Sequence, residues 1–175
     1  MADTSTSWII EAFDRLRHER AEFDCGLPAL NTWLATKVSQ FEKKDLSRTY
    51  VLLDSESTTV KGYYALSNHT IAYDAMPVDQ AKGLPQIDVP VVLIGKLAVD
   101  LSVQGQGLGE FLLIDALRRA EYLSTKIGIR AVEVDAINDA ARNFYKRYGF
   151  IALTDDEYHL ALPISIVRKL HLPPL

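Results

Sequence analysis

The chain has 175 residues, a formal net charge of -4 and 48% hydrophobic residues, values typical of a globular protein that can bury a core. Its acidic balance argues against a protein that coats nucleic acid through its net field, but leaves room for a local basic patch. Cys25 is the single cysteine, so no internal disulfide can form, as in a reducing compartment. The start of the chain has no signal-peptide pattern, and no run approaches the roughly 20 apolar residues of a membrane helix. We therefore expect a cytoplasmic protein that does not cross a membrane.

The first third of the chain predicts strands around one helix. Apolar runs and polar turns alternate at spacings typical of a hairpin, and Pro28 suits the first position of a helix whose apolar residues recur every three or four positions. The predicted elements are, in order, a strand over residues 8–13, a turn at 23–26, a helix from Pro28 that fades near Lys43, and strands over 48–54 and 60–67.

The central stretch, residues 91–110, begins as a near-continuous apolar run, the pattern of a strand buried on both faces. Glycines follow at alternate positions 105, 107 and 109, and an apolar helix then runs from Phe111 to near Gly128. Residues 73–90, before the strand, contain three prolines and no steady period, which predicts a loop. A strand that feeds a glycine-rich turn and a helix can hold phosphate, because the first helical amides point at the anion.

The last third predicts a strand at residues 131–136, a helix, two strands and a final helix. Asn138 or Asp139 caps the first of these helices and Gly149 ends it. The two later strands cover 150–153 and 158–162, and the final helix covers 164–170. This order implies a single domain over residues 1–175 with a mixed α/β sheet, and the strand–glycine–helix unit lies in its middle.

Three interpretations of the glycine turn differ in the residue pattern that each requires. A P-loop needs Gly-Lys-Ser/Thr, but Glu110 comes directly after Gly109. A dinucleotide fingerprint needs G-x-G-x-x-G and a distant acid, whereas the spacing here is G-x-G-x-G. The third pattern, Gln/Arg-x-x-Gly-x-Gly/Ala, is the pyrophosphate loop of the Gcn5-related N-acetyltransferases (GNATs), which residues 104–109 resemble. A tight turn without a ligand is the plain alternative.

A second motif strengthens this resemblance. Residues 138–150, NDAARNFYKRYGF, are similar to the later signature of the same family, N-x-x-A-x-x-x-Y-x-x-x-G-F. The resemblance implies the GNAT fold, in which a mixed, mostly antiparallel central sheet is splayed at an acetyl-CoA cleft and flanked by helices. It also implies an enzyme that transfers an acetyl group from acetyl-CoA to a primary amine.

Further segments resemble the acetyltransferase toxins of type II toxin–antitoxin modules, over most of the chain from about residue 23 to residue 163. That subfamily implies acetylation of the amino group of aminoacyl-tRNA, a block of translation, a ribbon-helix-helix antitoxin as partner and a homodimer. Two alternatives stay open: an ordinary acetyltransferase for a small amine or a protein amino group, and a catalytically inactive acyl-CoA-binding regulator. The toxin-like segments are residues 23–26, 47–51, 62–66, 95–100, 103–107 and 162–163.

The family resemblance also implies roles for individual residues. Tyr145 matches the tyrosine that protonates the leaving CoA thiolate, with a residue packed in the core as the alternative. Asn138 and Asn143 either touch CoA or serve as a helix cap and a surface residue. The pantetheine arm is expected along Leu97, Ala98 and Val99, and the pyrophosphate on the amides of Gln104, Gly105, Gln106, Gly107, Leu108, Gly109 and Glu110.

The sequence gives weaker signals for a general base, a metal site, a cysteine nucleophile and tRNA contacts. No side chain is predicted as general base, since acids such as Glu133 and Asp135 often only face solvent. The four histidines show no ligand spacing, so we expect no metal, and Cys25 has no partner for nucleophilic catalysis. Basic residues could contact tRNA phosphates or merely solubilise the surface, and Lys96 could lie at the acceptor mouth. The phosphate candidates are Arg15, Arg17, Arg20, Lys43, Lys44, Arg48, Arg142, Lys146 and Arg147.

Overall fold

The computed structural model of the protein describes residues 5–175. Within that range seven strands form a sheet: β1 (Trp8–Ala12), β2 (Arg48–Asp54), β3 (Gly62–Ile71), β4 (Val89–Val99), β5 (Ala131–Asp135), β6 (Ile151–Ala152) and β7 (His159–Pro163). Their order is β1-β2-β3-β4-β5-β7-β6. The pairs β1–β2, β2–β3, β5–β7 and β6–β7 are antiparallel, and β4–β5 is parallel. This is the mixed, mostly antiparallel sheet that the sequence predicted.

The helices connect and flank these strands. They are α1 (Pro28–Thr36), α2 (Val38–Lys43), α3 (Val78–Ala81), α4 (Leu108–Ser124), α5 (Asp139–Arg147) and α6 (Ile164–Lys169). None of the helices within residues 5–175 is long and apolar enough to cross a membrane.

The chain divides into two compact units. The first contains the chain up to Leu66 together with Lys96–Asp115, and the second contains Ser67–Gly95 and Ala116–Leu175. Strands β3 and β4 and helix α4 therefore each contribute residues to both units.

Aromatic packing organises the core of the first unit. Trp33 of α1 stacks on Tyr63 of β3, with ring centroids 5.8 Å apart and an interplanar angle of 7°, and Phe23 meets the same tyrosine edge-on. The Tyr63 hydroxyl donates a hydrogen bond of 2.7 Å to the Leu30 carbonyl. A Cβ at Gly62 would lie 3.2 Å from the Ala98 carbonyl oxygen, so glycine permits a close approach of the backbones there.

Part of the core of the second unit is formed by the segment that the sequence predicted as a loop. Residues 73–90 contain a short 3-10 turn (Tyr73–Ala75), the helix α3 and the first residues of β4, so the prediction of a loop over the whole segment was wrong in part. Buried Met76 and Ala81 pack in one cluster with Val89 and Val91. The three prolines obscured the helical turn because they interrupt every longer period.

Two helix boundaries also differ from the sequence-based expectation. The helix from Pro28 is broken at Lys37, whose φ of -116° separates α1 from α2. Helix α4 ends at Ser124 rather than near Gly128, because Thr125 and Lys126 donate to carbonyls three residues earlier and so tighten the chain out of the α-helix.

Candidate active site

The glycine turn before α4 has the backbone that a phosphate loop needs. Gly105 and Gly107 have φ values of +81° and +77°, a conformation that other residues adopt only with strain. A Cβ on either glycine would meet no atom within 4 Å, so the space beside the loop backbone is open. Phe111 N–H donates to the Gly107 carbonyl, which makes this the first bond of the helix. The amides of residues 107–110 precede that bond and have no acceptor within the helix.

Two side chains next to the glycines hold the loop in place. The Gln104 amide nitrogen donates to the carbonyls of Val99, at 2.9 Å, and Cys25, at 3.3 Å. The Asp100 carboxylate accepts from Asp24 N–H at 3.0 Å and from both N–H and hydroxyl of Ser102. The side chain of Gln104 thus braces the loop, while its backbone remains in the set predicted to bind pyrophosphate.

The electrostatics of Asp100 favour this arrangement. Burial raises the pKa of its carboxyl group, but the hydrogen bonds from Asp24 and Ser102 and the nearby charge of Lys61 outweigh burial, so the pKa lies below its ordinary value. Asp100 is therefore ionised at neutral pH and acts as a fixed acceptor at the start of the loop.

Leu97, Ala98 and Val99 form the end of β4, as predicted. The parallel pairing of β4 with β5 joins Val91–Ile94 to Ala131–Val134, and β4 continues past the last of these pairs to Val99. The Val99 carbonyl accepts the hydrogen bond from Gln104, so strand end and loop are connected.

Helix α5 carries Tyr145 in a buried aromatic cluster. Tyr145 is 6% exposed, and its ring contacts Phe144 and Phe150 at centroid distances of 5.2 Å and 5.5 Å. Burial raises its pKa above the ordinary value, so the hydroxyl keeps its proton at neutral pH. The ring is buried, but the hydroxyl has no hydrogen-bond partner among residues 5–175 and its oxygen is accessible to solvent. Tyr145 is therefore a protonated donor without a protein acceptor.

The caps of α5 follow the sequence prediction. Asn138 is the N-cap, and its side-chain oxygen accepts from Ala141 N–H at 2.9 Å. Gly149, with φ +92°, comes just after the helix. Asn143 is exposed in the middle of the helix. Of the two asparagines that the sequence proposed near CoA, one already uses its oxygen as a cap and the other is open to solvent.

Residues 46–152 match the model of a protein family that is described as "Acetyltransferase (GNAT) domain". The chain belongs to the GNAT acetyltransferase family. A probable toxin TacT of Sinorhizobium fredii is 32% identical over 97% of this chain and 99% of its own length. A tRNA-acetylating toxin of Mycobacterium tuberculosis is 35% identical over 85% of this chain and 87% of its own length.

Solved structures of GNAT toxins share the fold. A tyrosine-to-phenylalanine mutant of KacT is 34% identical, with a TM-score of 0.88 over 93% of this chain and 98% of that one. AtaT complexed with acetyl-methionyl-tRNAfMet is 32% identical, with a TM-score of 0.88 over 94% and 99%. A tyrosine-to-phenylalanine mutant of AtaT, bound to the C-terminus of the antitoxin AtaR and to acetyl-CoA, is 29% identical, with a TM-score of 0.81 over 95% and 99%. The GNAT fold predicted from the sequence is confirmed.

Several basic residues proposed for tRNA phosphates in this GNAT protein already have partners. Arg17 pairs with Glu11 at 3.0 Å, and Arg20 donates to the Leu34 carbonyl at 2.9 Å. Arg48 pairs with Asp45 and Glu42, which raise its pKa, and Arg142 pairs with Glu157 at 2.9 Å and lies over the Tyr158 ring. These four arginines are therefore already oriented by acceptors of the protein itself.

The other basic candidates are more open. Lys43, Lys44, Lys146 and Arg147 are exposed, and Arg147 lies over the Phe144 ring. Arg15 and Lys43 line a cavity of about 590 Å³ together with Phe13, Ser39, Gln40 and Glu42. Lys96, the acceptor-mouth candidate, lies 5.6 Å above the centroid of Trp33.

Sequence reasoning missed two features of this GNAT domain. The bracing by Asp100 had a signal, since Asp-x-Ser after a strand is typical of a side-chain-capped turn. The hydrogen bond between His69 and Glu133, at 2.6 Å, had none, because the residues are 64 positions apart. Residues 5–175 contain no cluster of three His, Cys, Asp or Glu side chains that could hold a metal ion.

Proposed function

We propose that this protein is a toxin that transfers the acetyl group of acetyl-CoA to the amino group of aminoacyl-tRNA and thereby blocks translation. The names of its relatives and the AtaT complex with acetyl-methionyl-tRNAfMet support the substrate. The observation that carries the chemistry is Tyr145, whose ring is buried and whose hydroxyl keeps its proton and has no acceptor among residues 5–175.

Acetyl-CoA suits the loop geometry of the first unit. A pyrophosphate is recognised by backbone amides, and the amides of residues 107–110 have no helical acceptor. Glycine at 105 and 107 leaves the backbone open on the side where a Cβ would stand. In this proposal the amides of residues 104–110 bind the pyrophosphate, and the end of β4 at residues 97–99 binds the pantetheine arm. Asn138 and Asn143 are placed at CoA by the resemblance alone.

The reaction moves one acetyl group from sulfur to nitrogen. The amine nitrogen attacks the thioester carbonyl carbon, a C–N bond forms, and the tetrahedral intermediate then breaks its C–S bond. The departing thiolate takes the proton of the Tyr145 hydroxyl, and the amine loses one proton. Proton transfer of this kind contributes about 10²- to 10⁴-fold to a rate.

The proposal extends to partners and to the cell. One AtaT structure contains the antitoxin AtaR, and we propose that an antitoxin of the ribbon-helix-helix type inhibits this protein as well. We also propose a homodimer, a cytoplasmic location and a single acetyltransferase domain over residues 1–175, all of which rest on the resemblance.

The decisive test supplies labelled acetyl-CoA and total charged tRNA. We expect label in N-acetylated amino acids that mild alkali releases from tRNA, with uncharged tRNA unlabelled. Mass spectrometry of the released product identifies the amino acid. Label transferred only to polyamines or to protein would replace this function with an ordinary acetyltransferase. Acetyl-CoA binding by calorimetry without any transfer would favour an inactive regulator.

A further inference from the structure

One histidine–carboxylate pair in the second unit has the geometry of a catalytic base. His69 Nδ1 lies 2.6 Å from Glu133 Oε2. The Glu133 side chain is 4% exposed, whereas the His69 side chain is 52% exposed. One end of the pair is therefore fixed inside the protein, and the other end is open to a ligand.

The pair bridges three neighbouring strands. His69 is on β3 and Glu133 is on β5, with β4 between them, so the two side chains span about 9.5 Å. On β4, Leu93 is the register partner of Glu133. A Cβ on Gly95 would meet only Leu93 Cδ2, at 4.0 Å, which leaves room above this part of β4.

The hydrogen bond fixes the orientation of the imidazole ring. A carboxylate accepts hydrogen bonds, so the pair matches the tautomer in which Nδ1–H donates to Glu133. In that tautomer the lone pair lies on Nε2. A buried carboxylate orients histidine for proton transfer in this way in hydrolase triads.

Burial of Glu133 is costly for the protein. His69 is its single hydrogen-bond partner among residues 5–175, and a buried carboxylate with few partners destabilises a fold. A hydrophobic residue on this strand would avoid that cost, since neighbouring Val132 and Val134 are fully buried. A functional role explains why the chain carries a carboxylate there.

The histidine–carboxylate pair lies in the same unit as Tyr145. Glu133 pairs with Leu93 one step before the last β4–β5 pair, Ile94 with Val134. The strand that carries Glu133 leads within a few residues into α5, the helix of Tyr145. Glu133, which orients the proton acceptor, and Tyr145, the proton donor, therefore belong to consecutive elements of one unit, and His69 belongs to the same unit.

We propose that His69 is the general base that accepts a proton from the amino group of the acceptor, and that Glu133 is the positioning residue that holds its ring. The inference rests on the proposed function. An α-amino group has a pKa of about 8, so a fraction of the substrate is neutral at neutral pH and can attack the thioester. Attack by this neutral amine leaves a positive charge on the nitrogen of the tetrahedral intermediate, and one of its N–H protons moves to Nε2. The thiolate takes the Tyr145 proton, and solvent exchange returns both residues to their starting states.

A second histidine offers a matched control. His159 Nε2 lies 3.4 Å from Asp135 Oδ1, and the Asp135 side chain is 60% exposed. This pair also joins a histidine to a carboxylate of β5, but the distance is longer and no buried group fixes the ring. His159→Asn should leave turnover within about twofold.

The experiment compares wild type, His69→Asn and His159→Asn on charged tRNA. Asparagine can still donate to Glu133 from near the Nδ1 position but has no Nε2. We expect kcat to fall about 10²- to 10⁴-fold in His69→Asn, with little change in KM. Acetyl-CoA binding and thermal unfolding confirm that each variant is folded.

Two further variants separate catalysis from structure. In His69→Ala, added imidazole should restore part of kcat, which repair of a purely structural defect would not do. Glu133→Gln should lower kcat by about tenfold, because the amide oxygen still accepts from the ring but no longer supplies the negative charge that stabilises the imidazolium.

These measurements distinguish a wrong assignment of the base from a wrong proposed function. Turnover of His69→Asn within threefold of wild type on charged tRNA overturns the assignment of the base and leaves the proposed function intact. Loss of activity in His159→Asn alone assigns the base to the other pair. Wild-type protein that acetylates no charged tRNA overturns the proposed function, and the base assignment with it.

Discussion

Tyr63 and Tyr145 lie in different regions of the molecule and differ in one decisive respect. Both are buried, and burial raises the pKa of both. In the aromatic core of the first unit, the Tyr63 hydroxyl donates to the Leu30 carbonyl at 2.7 Å. In the second unit, the Tyr145 hydroxyl has no partner among residues 5–175. A hydroxyl that donates to a protein carbonyl stabilises the fold, whereas a hydroxyl without a protein partner on a buried ring is available to a ligand.

The first prediction tests this difference through stability. Tyr63→Phe removes the hydrogen bond to the Leu30 carbonyl, which also accepts within α1, and should lower the free energy of unfolding by about 0.5–1.5 kcal/mol. Tyr145→Phe removes no protein hydrogen bond and should change it by less than about 0.5 kcal/mol. Urea unfolding of the two variants measures both values. Equal losses would show that Tyr145 is also a structural residue.

The second prediction concerns the phosphate loop. Gly105→Ala places a side chain at φ +81°, which strains the backbone by about 1–2 kcal/mol and should weaken acetyl-CoA binding about tenfold or more. Gly83→Ala is the matched control, since Gly83 has φ +80° and equally open surroundings. Calorimetry measures the acetyl-CoA affinity of both variants. Similar weakening in both variants would mean that loss of stability, and not the loop, causes it.

The third prediction concerns the helix that carries Tyr145. Asn138→Ala removes the acceptor for Ala141 N–H and should destabilise the protein by about 1 kcal/mol. Asn143→Ala, at an exposed position within the same helix, should cost nothing, because alanine is the better helix former. Thermal unfolding of both variants checks the contrast. A larger loss in the Asn143 variant would argue against the cap.

The fourth prediction follows from the raised pKa values of both tyrosines. In the unfolded state these tyrosines ionise near pH 10, whereas in the folded state burial keeps them neutral to a higher pH. The free energy of unfolding is therefore unaffected below about pH 10 and falls as the pH rises above it. At pH 10.5 each tyrosine should account for about 0.8 kcal/mol of the loss. Tyr63→Phe and Tyr145→Phe should each flatten the alkaline slope of urea-derived stability. An unchanged slope in either variant would contradict the raised pKa of that residue.

Local patterns predicted most of the fold. The strand at residues 48–54 and the caps of α5 follow from short-range chemistry, namely β-branched and aromatic runs, Asn138 and Gly149. The glycine turn was also predictable because positive φ restricts the choice of residue. The break at Lys37 and the short helix α3 were not, since tertiary packing set them against a weak local signal.

Some features of the candidate site were likewise predictable from local sequence, and others were not. Tyr145 and the phosphate loop belong to motifs whose residues are close in sequence. The contact of His69 with Glu133 depends on the order of β3, β4 and β5, which no local period encodes. The missing partner of the Tyr145 hydroxyl is likewise a property of the folded chain.

The role of Tyr145 can be measured by single-turnover acetylation of charged tRNA with wild type and Tyr145→Phe, together with acetyl-CoA affinity on the same preparations. We expect equal affinities, similar unfolding midpoints and a transfer rate about 10²- to 10⁴-fold lower in the variant. Equal transfer rates at equal affinity would mean that Tyr145 is a packing residue of the hydrophobic core and not the proton donor.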